Sequence, residues 1–146
     1  MLELEPSRGE WYWQKAGLLS NRYMKERSPE SLQNATAAWK ISEKELPFSA
    51  FLRYEEGMFY LQSDQKEEAE SSFEMAVQIE PNFAVAWTKL GLLLKMEGKT
   101  QAAKEAFSTG LRIYENWNGK PVDPPEKPML DIPEGVLRQL RLEVRS

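Results

Sequence analysis

Residues 84–115 read AVAWTKLGLLLKMEGKTQAAKEAFSTGLRIYE, and residues 50–81 read AFLRYEEGMFYLQSDQKEEAESSFEMAVQIEP. The two stretches align without gaps at an offset of 34 residues. Gly57 pairs with Gly91, Tyr60 with Leu94, Ala69 with Ala103, Phe73 with Phe107 and Ala76 with Gly110. Self-similarity at a fixed period marks a stacked array, in which neighbours bury the face that one unit alone leaves open. Within each stretch two runs of helical periodicity are split by a polar turn, Ser63-Asp64 in one and Glu97-Gly98 in the other.

The paired positions have a common physics. A glycine inside a helix costs about 1 kcal/mol against alanine, so Gly57 and Gly91 call for a compensating close approach of the partner helix. Ala69, Ala103, Ala76 and Gly110 keep the second helix slim for the same reason, and Phe73 and Phe107 fill the space between. Pro81 stops its helix and turns the chain into the next unit.

This pattern resembles the tetratricopeptide repeat. Trp87-x2-Leu90-Gly91-x2-Leu94 and then Ala103-x3-Phe107 follow the family order W-x2-L-G-x2-Y and A-x3-F, with Leu94 in the tyrosine slot. The middle unit keeps Gly57, Tyr60, Ala69, Phe73, Ala76 and Pro81, but has Arg53 and Glu56 where the family has Trp and Leu. The resemblance implies an all-α fold, an α-solenoid of about three helix-turn-helix repeats plus a C-terminal capping helix. It divides the chain into repeats at 50–83 and 84–115, a degenerate repeat at 7–49, a proline-rich linker at 116–131 and a capping helix at 132–146.

The degenerate unit places Trp39 in the phenylalanine slot, after Ala35. Ser28-Pro29 reads as the start of its second helix and Ser7-x-x-Glu10 as a capping box on its first. Gly17 lies 18 residues before Ala35 where Gly57 lies 12 before Ala69, so the first helix is expected to be lengthened. Four prolines between Trp117 and Asp131 argue against regular structure there. Beyond them Val136, Leu137, Leu140 and Val144 share a helical face, Pro133 suits a first turn, and Asp131-x-x-Glu134 reads as a second capping box. At the other end, LELEP at 2–6 repeats the ending VQIEP at 77–81. The expectation is that residues 1–6 are the remnant of a preceding repeat helix, and the chain a fragment of a longer protein.

Composition narrows the chemistry. The chain has 146 residues, no His, no Cys and a net charge of −4. Without those two residue types, the commonest general base, the thiol nucleophile and most transition-metal ligands are missing. Phosphate loops, nucleophile elbows and calcium loops are also missing, so no enzyme, cofactor or metal is expected. An acidic balance without a basic cluster argues against nucleic acid, and no apolar run approaches a membrane span, so no direct membrane insertion is expected. Cytoplasm and periplasm both remain open.

In the family, first helices of successive repeats line a concave groove. Carried over, the resemblance implies partner contacts from Phe51, Tyr54, Glu55, Met58 and Leu61 in one unit, and from Val85, Thr88, Lys89, Leu92 and Lys95 in the next. These residues are largely apolar and do not reproduce the Lys, Asn and Arg clamp with which chaperone-tail binders hold a terminal carboxylate. They suit an apolar peptide or a partner helix. The leading expectation is therefore a non-catalytic interaction scaffold for a protein or peptide. Two alternatives stand beside it. One is the soluble, periplasmic tail of a membrane polysaccharide polymerase or ligase-like protein, with an upstream membrane domain. The other is a carbohydrate-contacting module built on Trp11, Tyr12 and Trp13, one of which should be exposed.

Overall fold

The computed structural model describes residues 5–117, 120 and 127–146. The reading of Leu2 and Leu4 as the stump of a preceding helix, and of most of the proline-rich stretch, lies outside the described residues. The described chain forms α1 (Arg8–Glu26), α2 (Pro29–Glu45), α3 (Ala50–Gln62), α4 (Lys66–Ile79), α5 (Ala84–Met96), α6 (Thr100–Trp117), α7 (Lys127–Leu130) and α8 (Glu134–Arg145). α1 packs on α2, α3 on α4 and α5 on α6 as helical hairpins, while α4 also meets α5 and α6 meets α8. The fold is an all-α solenoid.

Helix starts follow local chemistry. Ser7 caps α1 reciprocally with Glu10: the Glu10 amide donates to Ser7 Oγ at 3.2 Å, and the Ser7 amide donates to Glu10 Oε2 at 2.9 Å. Ser28 and Ser49 accept from the amides of Ser31 and Leu52 at 3.1 and 3.2 Å. One period after Ser49 stands Phe83, which caps nothing and is instead buried to 1% exposure. There the chain exchanges a capping hydroxyl for a core aromatic.

The hairpin turns repeat as well. Asp64 and Gly98, 34 residues apart, both take left-handed φ, 60° and 79°. In each turn the following amide reaches back to close the helix, Gln65 to the Tyr60 carbonyl at 2.8 Å and Lys99 to the Leu94 carbonyl at 2.9 Å. Across each hairpin a glycine seats a ring: a Cβ added at Gly57 would lie 2.7 Å from the Phe73 ring, and one at Gly91 2.6 Å from the Phe107 ring. A Cβ at Gly17, by contrast, meets nothing within 4 Å. In the first hairpin Ser20 takes that contact, its Oγ accepting from Trp39 Nε1 at 2.9 Å.

Aromatic packing joins the units. Phe59 stacks on Trp39 and meets the edge of Tyr23, joining the first hairpin to the second. Phe83 packs against Phe51 and Tyr54 at 5.3 and 5.2 Å, joining the second to the third.

The C-terminal part departs from the sequence reading in two places. Lys127–Leu130 is a helical turn, where the prolines argued against regular structure. Pro128 falls within the first turn, where its missing amide costs nothing, and Met129 and Leu130 pack against the core. The Asp131–Glu134 capping box does not form: α8 begins at Glu134 with Pro133 as its cap and no side-chain bond. A residue before proline is held out of the helical region, so Ile132 cannot be the first helical residue that an Asp131 cap requires. Ile132 is instead buried, and Leu137 and Leu140 anchor α8 at 1% and 2% exposure.

Candidate functional site

Because α2, α4 and α6 carry the Trp39, Phe73 and Phe107 rings into the hairpins, α1, α3 and α5 present a shared opposite face, and α8 continues it. Two depressions lie on that face. One sits between α1 and α3 and is lined by Gln14, Leu18, Asn21, Glu55, Met58 and Gln62. The other, of about 310 Å³, sits between α5 and α8 and is lined by Lys89, Leu92, Lys95, Val136, Gln139 and Glu143.

The ten residues carried over from the resemblance divide between these hollows and the core. Glu55 and Met58 line the first hollow. Thr88, Lys89, Leu92 and Lys95 line the second. Phe51, Tyr54, Leu61 and Val85 are half-buried against the core, so their outer edges alone reach solvent. Thr88 is buried, and its hydroxyl donates to the Ala84 carbonyl at 3.1 Å. Leu92 is the most open apolar member, at 42% exposure.

The charged members are largely spoken for. Glu55 accepts from Trp13 Nε1 at 2.6 Å, which fixes α1 against α3. Lys95 is ion-paired with Glu143 of α8. Burial, with Glu55 alongside, raises the Tyr54 phenol above its usual range, so it remains a hydrogen-bond donor at neutral pH. The face is thus a row of apolar side chains edged by neutral amides, with Lys89 free of ion pairs among the described residues. That chemistry suits an apolar segment whose polar groups meet Gln14, Asn21 and Gln139.

Sequence reasoning missed the contributions of α1 and α8. Leu18 is 71% exposed and stands off the packed positions of α1, Ala16, Leu19 and Tyr23. An isolated leucine outside a helix's packing stripe is the signal that marked it. The aromatic triplet splits three ways: Trp11 is 49% exposed, Tyr12 meets it edge-on at 4.9 Å, and Trp13 is bound to Glu55. Among the described residues no helix is long and apolar enough to cross a membrane.

Comparison with known proteins agrees with this geometry. The family model described as tetratricopeptide repeat matches residues 52–83 and 84–116. No curated protein matches the chain significantly. Among solved structures, the TPR2B domain of yeast Sti1 in complex with a pHsp70 peptide is 16% identical with a TM-score of 0.65, covering 92% of this chain and 97% of that one. The Sgt2 TPR domain from Aspergillus fumigatus is 20% identical with a TM-score of 0.60, covering 97% and 84%. The second TPR domain of human RPAP3, in complex with an HSP70 peptide, is 20% identical with a TM-score of 0.60, covering 91% and 98%. At these identities the likeness establishes the fold. Residues 52–83 and 84–116 are thus two tetratricopeptide repeats within an all-α solenoid.

Proposed function

We propose that the chain is a non-catalytic scaffold that holds an apolar peptide segment or partner helix along the face formed by α1, α3, α5 and α8. The observation that carries this reading is the pair of hollows on one face, each with an apolar side chain open to solvent beside neutral amides. Two neighbours of the same fold are complexes with Hsp70 peptides, which supports a peptide ligand. A chaperone tail ending in several carboxylates is not favoured here, because Glu55 lines one hollow and Lys95 is already paired.

Selection of binders from a random peptide display library, followed by calorimetry on the full chain, tests the proposal. Met58→Ala and Leu92→Ala should each weaken the selected peptides about tenfold, which is about 1.4 kcal/mol. Met75→Ala, on the outer side of α4, should leave binding unchanged. Peptides indifferent to Met58 and Leu92 would overturn the proposal.

A further inference from the structure

On the opposite side of the solenoid, α2 and α4 flank a crevice floored by α3, with a volume of about 380 Å³. In the third unit the equivalent floor positions hold Trp87 and Leu90. Here they hold Arg53 and Glu56, so an apolar plug is replaced by two ionisable groups. Glu56 is buried to 1% exposure. Its Oε1 accepts from the Ser72 hydroxyl at 2.9 Å and lies 3.6 Å from Arg53 Nη1. Arg53 is itself committed to Glu43 at 2.9 Å.

Three polar atoms at the floor have no hydrogen-bond partner among the described residues: Arg53 Nε, Glu56 Oε2 and the hydroxyl of Tyr60, a residue 2% exposed. A buried carboxyl group with an unsatisfied oxygen is expensive in a helical repeat that offers leucine at the same position. Of these, Glu56 Oε2 and the Tyr60 oxygen can accept from an N–H donor.

Charge identifies the donor. Three carboxylates, Glu43, Glu67 and Glu68, and the Glu56 carboxyl face this crevice against two cations, Arg53 and Lys40. The Lys40 ammonium already stands over the Tyr60 ring at 5.7 Å, so the mouth accommodates positive charge. No three acidic side chains among the described residues converge as a metal ion would need.

We propose that this outer crevice is a second binding site, one that takes the guanidinium or ammonium group of a basic side chain on a partner protein. The cation donates to Glu56 Oε2 and to the Tyr60 oxygen, while Glu67 and Glu68 attract it at the rim. Burial first, and then the neighbouring Glu43 carboxylate, push the Glu56 carboxyl up to about 8 against the opposing effects of Ser72 and Arg53. An arriving cation therefore expels the Glu56 proton, and binding strengthens as pH rises toward that value.

Titrating the full chain with methylguanidinium, while following the Glu56 side-chain carboxyl carbon and the Ser72 amide by NMR, tests the assignment. Sodium chloride and tetramethylammonium serve as matched-ionic-strength controls without N–H donors. The expected result is a saturable shift specific to methylguanidinium, lost in Glu56→Gln and weakened roughly threefold in the rim variant Glu67→Gln/Glu68→Gln. Affinity should fall roughly tenfold for each pH unit below the Glu56 midpoint. Equal shifts from tetramethylammonium, or unchanged binding in the rim variant, would overturn the proposal. Should Glu56→Gln fail to fold, the surface rim variant and the donor-free control decide it.

Discussion

Asp64 and Gly98 do the same work with different residues. Both end a first helix in left-handed backbone, a conformation that strains any side chain bearing a Cβ and leaves glycine free. Asp64→Gly should therefore stabilise the fold by about 0.5–1 kcal/mol, and Gly98→Ala should destabilise it by about 1 kcal/mol, both read by urea denaturation. Glu56 makes a larger demand. Its folded carboxyl titrates near 8 against an ordinary 4.5, so the native state binds more protons than the unfolded chain between those values. Stability should be fullest below pH 4.5 as far as this group is concerned, and should be lost as pH rises through about 8. In Glu56→Leu that decline should disappear and stability near neutral pH should rise by about 1–2 kcal/mol. A matching slope in the variant would show that another group causes it. Arg53 and Glu56 were legible as departures from the repeat pattern, but the burial of Glu56 was not, because the pattern alone says nothing of where an unexpected polar side chain turns.

At the scale of the helix, the repeat offset located the second and third hairpins well. Glycine, alanine and phenylalanine at a shared spacing leave few ways to pack two helices. The first hairpin was harder to read. Gly17 invited alignment with Gly57, yet it faces open space while Ser20 meets Trp39. Spacing could not distinguish a packing glycine from an exposed one in a longer helix. The apolar face of α8 was legible, but its start was not, since the backbone restriction before Pro133 outweighs a favourable capping sequence. Leu137 and Leu140 are both fully buried, and each such leucine is worth about 1.5–3 kcal/mol. Deleting residues 132–146 should lower stability by about 3–5 kcal/mol, visible as a fall in Tm by circular dichroism. It should also open the hollow beside Leu92 and weaken any peptide held there. A truncation that leaves Tm unchanged would mean that α8 does not close the solenoid.

For the whole molecule, stacking sets which surfaces are available. Rings on α2, α4 and α6 turn into the hairpins and leave the face of α1, α3, α5 and α8 to solvent, with Leu18, Leu92 and Val136 exposed along it. Six of the ten residues assigned there from the family pattern, Phe51, Tyr54, Met58, Leu61, Val85 and Thr88, are packed against the core or buried outright. A repeat pattern assigns positions to a face but not the fraction of each side chain that packing consumes. The central claim, that this face binds a peptide, is tested most directly by NMR mapping of a selected peptide on the labelled full chain. The account predicts the largest amide and methyl shifts at Leu18, Met58, Leu92 and Val136, with little change at Ser72 and Met75. Shifts concentrated on the outer side of α2 and α4, with those four residues silent, would contradict it.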